Sequence, residues 1–321
     1  ALVRVIEKKL GRYFDFNRLY QRSETADPVL NTVLKHDALA VDGPLKMPEL
    51  MVPLNQYLTP VPLIPFPLSR GCYWDKCLFC PDANQGFRAY ETEHLTQFLT
   101  SIVAQNLGEV IFNISDAAIP LARLNRLLPF FTETRSQFYG FFRFEPILLK
   151  PEYLNKLHAG GARLLQFGLE SGSQKILDLY CKGIDLVQAE KVLHFAHQAG
   201  LKNYVYLLFG LPLEEERDRE LTREFIRKNH QAIDFLNLAI FNLPVDCEIA
   251  KAPARFEITL TTQKKYQTPL QFYVPFTSKT GPVRVAARQF IQQRFKRDPL
   301  IRAIILNSPA RLRIDHAIFF E

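Results

Sequence analysis

The sequence predicts an α/β protein built on a largely parallel sheet, and three observations carry that prediction. Short β-type runs alternate with helical patterns from about residue 66 to residue 241. Most of the runs are apolar throughout rather than alternating, as in strands covered on one or both faces. Helix start and stop signals fall where the two patterns meet.

The β-type runs are "FPLSR" (66–70), "EVIFNIS" (109–115), "YGFFRFE" (139–145), "RLLQFGL" (163–169), "NYVYLLF" (203–209) and "FLNLAIF" (235–241). Helical patterns lie between them at 91–106, 119–133, 151–159, 173–199 in two pieces, and 214–230. Pro120 opens one helix, and Pro151 with Glu152 opens another as a favoured first-turn pair. "HAGG" (158–161) and "HQAG" (197–200) supply glycine stops before the next strand. Six βα units suit either an open doubly wound sheet or a partial barrel. In both, the loops after the strand C-termini build the active site.

The flanks differ. Residues 1–20 carry Leu2, Val5, Ile6 and Leu10 at the spacing of a short amphipathic helix. Residues 25–66 are turn-rich, with a hairpin expected at 33–43. "YLTPVPLIPFPL" (57–68) reads as a proline-stiffened linker that cannot sit inside a helix. After residue 250 a basic helix is expected near 283–296 and a final strand near 311–320. The expected division is an N-terminal helical and linker segment (1–56), a central α/β domain (57–245) and a C-terminal α+β extension (246–321).

Composition narrows the class. The chain is 47% hydrophobic and 23% charged over 321 residues, which is ordinary globular usage. No apolar stretch reaches the roughly 20 residues of a membrane span, and no charged start leads into a signal-like apolar region. Five cysteines, an odd number with three clustered, do not form a secreted disulfide framework, so a reducing cytoplasm is expected. The chain starts at Ala1 without methionine, which leaves room for a preceding segment. The net charge of +7 is concentrated late, in Arg284, Arg288, Arg294, Lys296, Arg297, Arg302, Arg311 and Arg313. A solvated surface is the favoured reading of that stretch, and an anionic partner such as a nucleic acid is the other.

The chemistry concentrates in "SRGCYWDKCLFCPD" (69–82), where Cys72, Cys77 and Cys80 form a C-x4-C-x2-C pattern just after the first strand. A structural zinc site wants a fourth Cys or His, and the nearest downstream, His94, falls in a helical pattern. A redox dithiol needs only Cys77 and Cys80 and leaves Cys72 without a role. Three thiolates on a four-iron cluster, with one iron left open, is the third alternative.

With an aromatic directly before its last cysteine, the stretch resembles the cluster loop of radical S-adenosylmethionine (SAM) enzymes. The resemblance implies a partial (β/α)6 barrel of TIM type in which Cys72, Cys77 and Cys80 hold a [4Fe–4S] cluster. The open iron binds the amino and carboxylate groups of SAM, and reduction cleaves SAM to methionine and a 5′-deoxyadenosyl radical. Phe79 would then lie against the adenine. The family's usual first gap is three residues, whereas Tyr73–Lys76 makes four. The resemblance extends over about 57–245. In "GEVIFNISDAAIP" it places Ser115 and Asp116 near the SAM amino group. In "LLQFGLESGSQKILDLYCKG" it places Glu170 and Ser171 near the ribose. In "YLLFGLPLEE" it places Gly210 at the adenine pocket, and Arg143 with Glu145 face the same mouth. Blander roles compete with these. Glu170 could be a helix N-terminal carboxylate, Asp116 could cap the following helix, and Arg143 and Glu145 could pair with each other.

The proline-rich approach and the ending "RIDHAIFF" resemble the class in which a cobalamin domain precedes the barrel. Cobalamin is therefore implied by resemblance alone, since no Asp-x-His-x-x-Gly occurs in the chain. The resemblance also implies a small-molecule or peptide substrate and a flavodoxin-type or ferredoxin-type electron donor. Methylation and rearrangement are the reactions it suggests, with RNA modification or a non-catalytic metal-stabilised module as alternatives. Cys181 and Cys247 read as isolated cysteines, Cys181 being a minor candidate for a hydrogen donor. Tyr73 and Trp74 have no assigned role beyond lining the pocket or shielding the cluster.

Overall fold

A computed structural model of the chain describes residues 61–83, 86–105, 108–261 and 272–307. The helix expected at 1–20, the hairpin at 33–43 and the strand at 311–320 lie outside the described residues. The described strands are β1 (Leu63–Phe66), β2 (Ser69–Arg70), β3 (Arg88–Ala89), β4 (Ile111–Ile114), β5 (Gln137–Phe142), β6 (Ala162–Glu170), β7 (Lys202–Phe209), β8 (Phe235–Ile240), β9 (Ile258–Leu260) and β10 (Phe276–Ser278). The described α-helices are α1 (Thr92–Val103), α2 (Leu121–Thr134), α3 (Pro151–Ala159), α4 (Gln174–Leu179), α5 (Leu186–Gln198), α6 (Glu216–Lys228), α7 (Glu248–Lys251), α8 (Val283–Gln293) and α9 (Pro299–Leu306).

Six strands form one sheet in the order β1-β4-β5-β6-β7-β8, and every pair is parallel. This order separates the two architectures that the sequence allows. A doubly wound sheet reverses direction part-way, so its helices cover both faces. Here each strand lies beside its predecessor, and crossovers of one hand put the helices on one face and curl the sheet toward a barrel. The helix-covered face is packed by Ile64, Phe112, Leu165, Phe167, Val205 and Phe209 against Leu95, Leu124, Phe131, Leu154 and Val192. The opposite, inner face carries a separate cluster of Ile111, Tyr139, Leu164, Tyr204 and Phe235.

Local sequence accounts for the helices. The buried residues Leu95, Leu99 and Ile102 of α1 recur at helical spacing, as do Leu121, Leu124, Leu128 and Phe131 of α2. Asp185 caps α5 by accepting from Gln188 N at 2.8 Å. Glu215 and Asp218 form a capping box at the start of α6.

Two strands depart from their expected bounds by more than two residues at an end. The first runs over Leu63–Phe66 rather than 66–70, inside the segment read as a linker. Pro65 cannot donate to a ladder, yet β1 is an edge strand with Pro65 exposed, which is where a sheet tolerates proline. The third ends at Phe142, so Arg143 and Glu145 leave the sheet as a free rim above it. The basic helix expected at 283–296 is α8, followed by a 3-10 turn at Phe295–Arg297. Phe290 and Phe295 pack on Phe209 of β7, with ring centroids at 6.1 and 5.3 Å.

Candidate active site

The cysteine loop is closed at its root. Ser69 and Arg70 of β2 pair antiparallel with Ala89 and Arg88 of β3. Gly71 (φ +76°) passes so near the Gly86 carbonyl that a side chain would collide with it. Within the loop, Cys80 N donates to Cys77 O at 3.1 Å. Leu78 is tied on both sides: its N–H donates to Tyr180 O at 3.1 Å, and its carbonyl accepts from Ile249 N at 3.3 Å. Phe79 packs edge-on to Tyr180 at 6.1 Å.

The four-residue gap is taken up by a left-handed turn at Asp75 (φ +52°), which turns the two preceding aromatics back on the strand-end loops. Tyr73 donates its hydroxyl proton to Glu145. Trp74 Nε1 donates to the Cys181 carbonyl at 2.9 Å, and the Arg143 guanidinium lies 4.2 Å from the indole centroid. Arg143 Nη2 in turn donates to the Lys182 carbonyl at 2.6 Å.

All three clustered cysteines line one cavity of about 220 Å³ at the C-terminal end of the sheet. Its wall includes Phe79, Arg143, Gly168, Glu170, Lys182 and Tyr206. Glu170 ends β6 beyond a register shift at Gly168, with a left-handed φ of +66°. That conformation is costly for a residue with a Cβ, and such costs gather at functional sites. Glu170 Oε1 accepts from Lys182 Nζ at 2.8 Å, and the two side chains are 16% and 13% exposed. Lys182 Nζ also lies 5.5 Å from the Phe79 ring centroid. Its pKa is pushed upward: burial opposes the charge, but Glu170 and the Cys77 thiol outweigh it.

Of the other expected positions, Phe79, Arg143 and Glu170 reach the cavity, while Ser115, Asp116, Glu145, Ser171 and Gly210 are not among its lining residues. Asp116 is buried and accepts from Leu68 N at 2.6 Å and from the Ser69 hydroxyl, so it braces the root of the cysteine loop. It does not cap α2, whose N-cap is Pro120. Burial raises its pKa to about 6. Ser171 is buried against Thr222 and accepts from Ser173 N at 3.1 Å. Gly210 N donates to Glu214 Oε2 at 2.7 Å. Arg143 and Glu145 each take other partners instead of the mutual pair considered above. Ser115 is exposed.

Lys182 was invisible to sequence reasoning, because nothing in "LYCKGID" sets it apart from a solvated lysine. The glycine inside β6 was the available signal. A Cβ on Gly168 would meet Glu170 Oε1 at 2.7 Å and Lys182 Nζ at 3.1 Å, so the ion pair occupies the space of the missing side chain. Cys181 is exposed, whereas Cys247 is buried with its thiol donating to Pro244 O at 3.2 Å. In the late basic stretch, Arg294 is engaged by Glu216 and Glu220, and Arg284 donates to Asn242.

Three thiols with no His on the same wall are a donor set suited to a cluster that leaves one iron open. Among the described residues no three His, Cys, Asp or Glu side chains converge on one ion position, and His94 stays on α1. Burial raises the Cys77 thiol and pushes Cys80 up to about 11, so thiolates here require compensating positive charge. Iron bound there would supply such charge, and Arg143 and Lys182 line the same wall.

Comparison with known proteins gives the family and the fold. Residues 66–226 match the Radical SAM superfamily. No curated protein matches the sequence. Among the solved structures that share the fold are two with cobalamin bound. One is the radical S-adenosylmethionine methyltransferase TsrM from Kitasatospora setae, with cobalamin and a [4Fe–4S] cluster bound. It is 17% identical with a TM-score of 0.52 over 71% of this chain and 46% of that one. The other is the cobalamin-dependent S-adenosylmethionine radical enzyme OxsB with aqua-cobalamin and S-adenosylmethionine bound. It is 17% identical with a TM-score of 0.55 over 72% of this chain and 41% of that one. The chain thus spans less than half the length of either structure. No helix among the described residues is long and apolar enough to cross a membrane.

Proposed function

Because the chain belongs to the radical SAM superfamily, whose members use a [4Fe–4S] cluster and SAM, we propose that Cys72, Cys77 and Cys80 are its cluster ligands. The observation that carries this reading is the placement of all three thiols on one strand-end cavity that also holds Arg143, Glu170 and Lys182. Bound there, the cluster and SAM would together supply a 5′-deoxyadenosyl radical able to take a hydrogen atom from an unactivated C–H bond.

The chain's own residues bind, orient and shield. Arg143 and Lys182 offset the negative charge of three thiolates and of a SAM carboxylate. Glu170, held by Lys182, keeps a free oxygen that can accept from a ribose hydroxyl or an ammonium. Phe79 offers an aromatic surface to the adenine. Phe141, Tyr206, Ala118 and Ile184 make the rest of the lining apolar or aromatic and keep water from the reacting atoms. We assign none of the described residues to cobalamin, so the proposal stops at SAM cleavage and hydrogen abstraction. A flavodoxin-type or ferredoxin-type protein is the electron donor that this chemistry calls for.

Anaerobic reconstitution followed by reduction tests the reading. The wild-type chain is expected to take up four irons and to release 5′-deoxyadenosine from SAM, and Cys77→Ala to lose both. Uptake of one zinc without iron, or SAM cleavage by Cys77→Ala at the wild-type rate, would contradict the ligand assignment.

A further inference from the structure

The Cys72–Cys77 gap holds Tyr73 and Trp74, and each reaches a different strand-end loop. Tyr73 takes Glu145 on the rim after β5. Trp74 takes the turn after α4 through the Cys181 carbonyl, and its ring lies against Arg143. Gly183 (φ +65°) is the matching surface on that turn: a Cβ there would overlap the indole, so only glycine lets the ring seat. Arg143 is therefore fixed twice, by the indole face and by the Lys182 carbonyl it donates to. Lys182 is held at its carbonyl by Arg143, at its N–H by Leu177 O at 2.9 Å and at its Nζ by Glu170. Both cations line the cysteine cavity; from the cysteine loop, Trp74 meets Arg143, and Phe79 lies 5.5 Å from Lys182 Nζ.

We propose that Trp74, with Tyr73 beside it, is a positioning residue that clasps the cysteine loop to the Arg143 rim and the Cys181–Gly183 turn, and so sets Arg143 and Lys182 against the bound cluster and SAM. This rests on the radical SAM reading of the cavity and deepens it. The longer gap after Cys72 acquires a purpose: it carries Trp74, which meets Arg143, and turns at the left-handed residue Asp75. Trp74 touches none of the reacting atoms on this account. It acts through two cations whose placement, within a fraction of an ångström, decides how well they meet anionic groups.

The full chain, reconstituted anaerobically, tests the clasp without turnover. SAM affinity is measured on the oxidised cluster, and the reduced cluster is read by EPR with and without SAM. Trp74→Ala is expected to keep its iron but to bind SAM about tenfold more weakly, with an altered EPR response to SAM. Trp74→Phe keeps a stacking surface and loses the Nε1 donor, so about a threefold weakening is expected. Wild-type affinity and EPR spectra in Trp74→Ala overturn the clasp. Should Trp74→Ala fail to fold, Trp74→Phe decides by the same two readouts. Loss of iron or of the fold in both variants reduces Trp74 to a structural residue and overturns the proposal. Trp74 is also the only tryptophan in the chain, so its emission in the cluster-free protein is an independent check. Arg143→Ala is expected to shift that emission, and an unchanged spectrum overturns the stacking on which the clasp depends. A wild-type chain that takes up no iron brings down the radical SAM reading itself, whereas an iron-loaded wild type with indifferent Trp74 variants brings down the clasp alone.

Discussion

Gly168 lies in the interior of β6, where glycine forfeits side-chain packing and loses more conformational entropy on folding than any other residue. Its presence is explained by the Glu170–Lys182 pair, whose atoms would stand 2.7 and 3.1 Å from a Cβ at this position. Alanine makes these two flexible chain ends shift while it relieves glycine's entropic cost in the strand. Gly168→Ala is therefore expected to keep the stability read by urea unfolding within about 1 kcal/mol of wild type, yet to weaken SAM binding, because the displaced groups line the cavity. Wild-type SAM affinity would show that the pair relaxes without loss.

At the scale of elements, one carboxylate ties α9 to α6 of the barrel. Asp298 caps α9, accepting from Leu300 N at 3.1 Å. The same side chain, only 5% exposed, meets Arg223 and Arg227 of α6 at 2.8 Å each. Removing it leaves two guanidinium groups short of a partner and uncaps a helix. Arg227 is largely solvated and adds little, so Asp298→Ala is expected to cost about 2–3 kcal/mol. Because neither α8 nor α9 lines the cysteine cavity, iron uptake should be unaffected. A variant that unfolds at the wild-type denaturant midpoint would mean that the apolar packing of Phe290, Phe295, Ile301 and Ile304 suffices.

For the whole molecule, two buried carboxyls give stability an unusual pH dependence. Glu214 is raised by burial to about 7, against the opposing pull of Gly210 N and Arg219, and Asp116 is raised by burial to about 6. Their ordinary values are 4.5 and 3.8. Between those values and the raised ones, the folded chain holds protons that the unfolded chain has released. Stability from these groups is therefore present below about 4 and falls as pH rises toward about 7. Glu214→Gln should flatten the upper part of that decline in thermal melts of the cluster-free chain. A melting temperature that rises steadily from pH 5 to pH 7 in the wild type and is unaltered by the substitution would contradict the assignment.

By itself the sequence determined the six parallel strands, the helices between them, and the concentration of thiols after the first strand. Period, glycine stops and residue chemistry are local, and they are written in consecutive residues. It also carried the resemblance that places Phe79, Arg143 and Glu170 near one mouth. Residue patterns left a partial barrel and a doubly wound sheet open, and the resemblance chose the barrel. Strand order is not a local property, so the order that bears this out came only from the tertiary structure. It alone showed Asp116 bracing the loop root, and it alone found Lys182. Trp74 and Gly183 are separated by more than a hundred residues, as are Trp74 and Cys181. Their contact exists because the strands bearing their loops lie in one curled sheet, which brings the loop ends together whatever their distance along the chain.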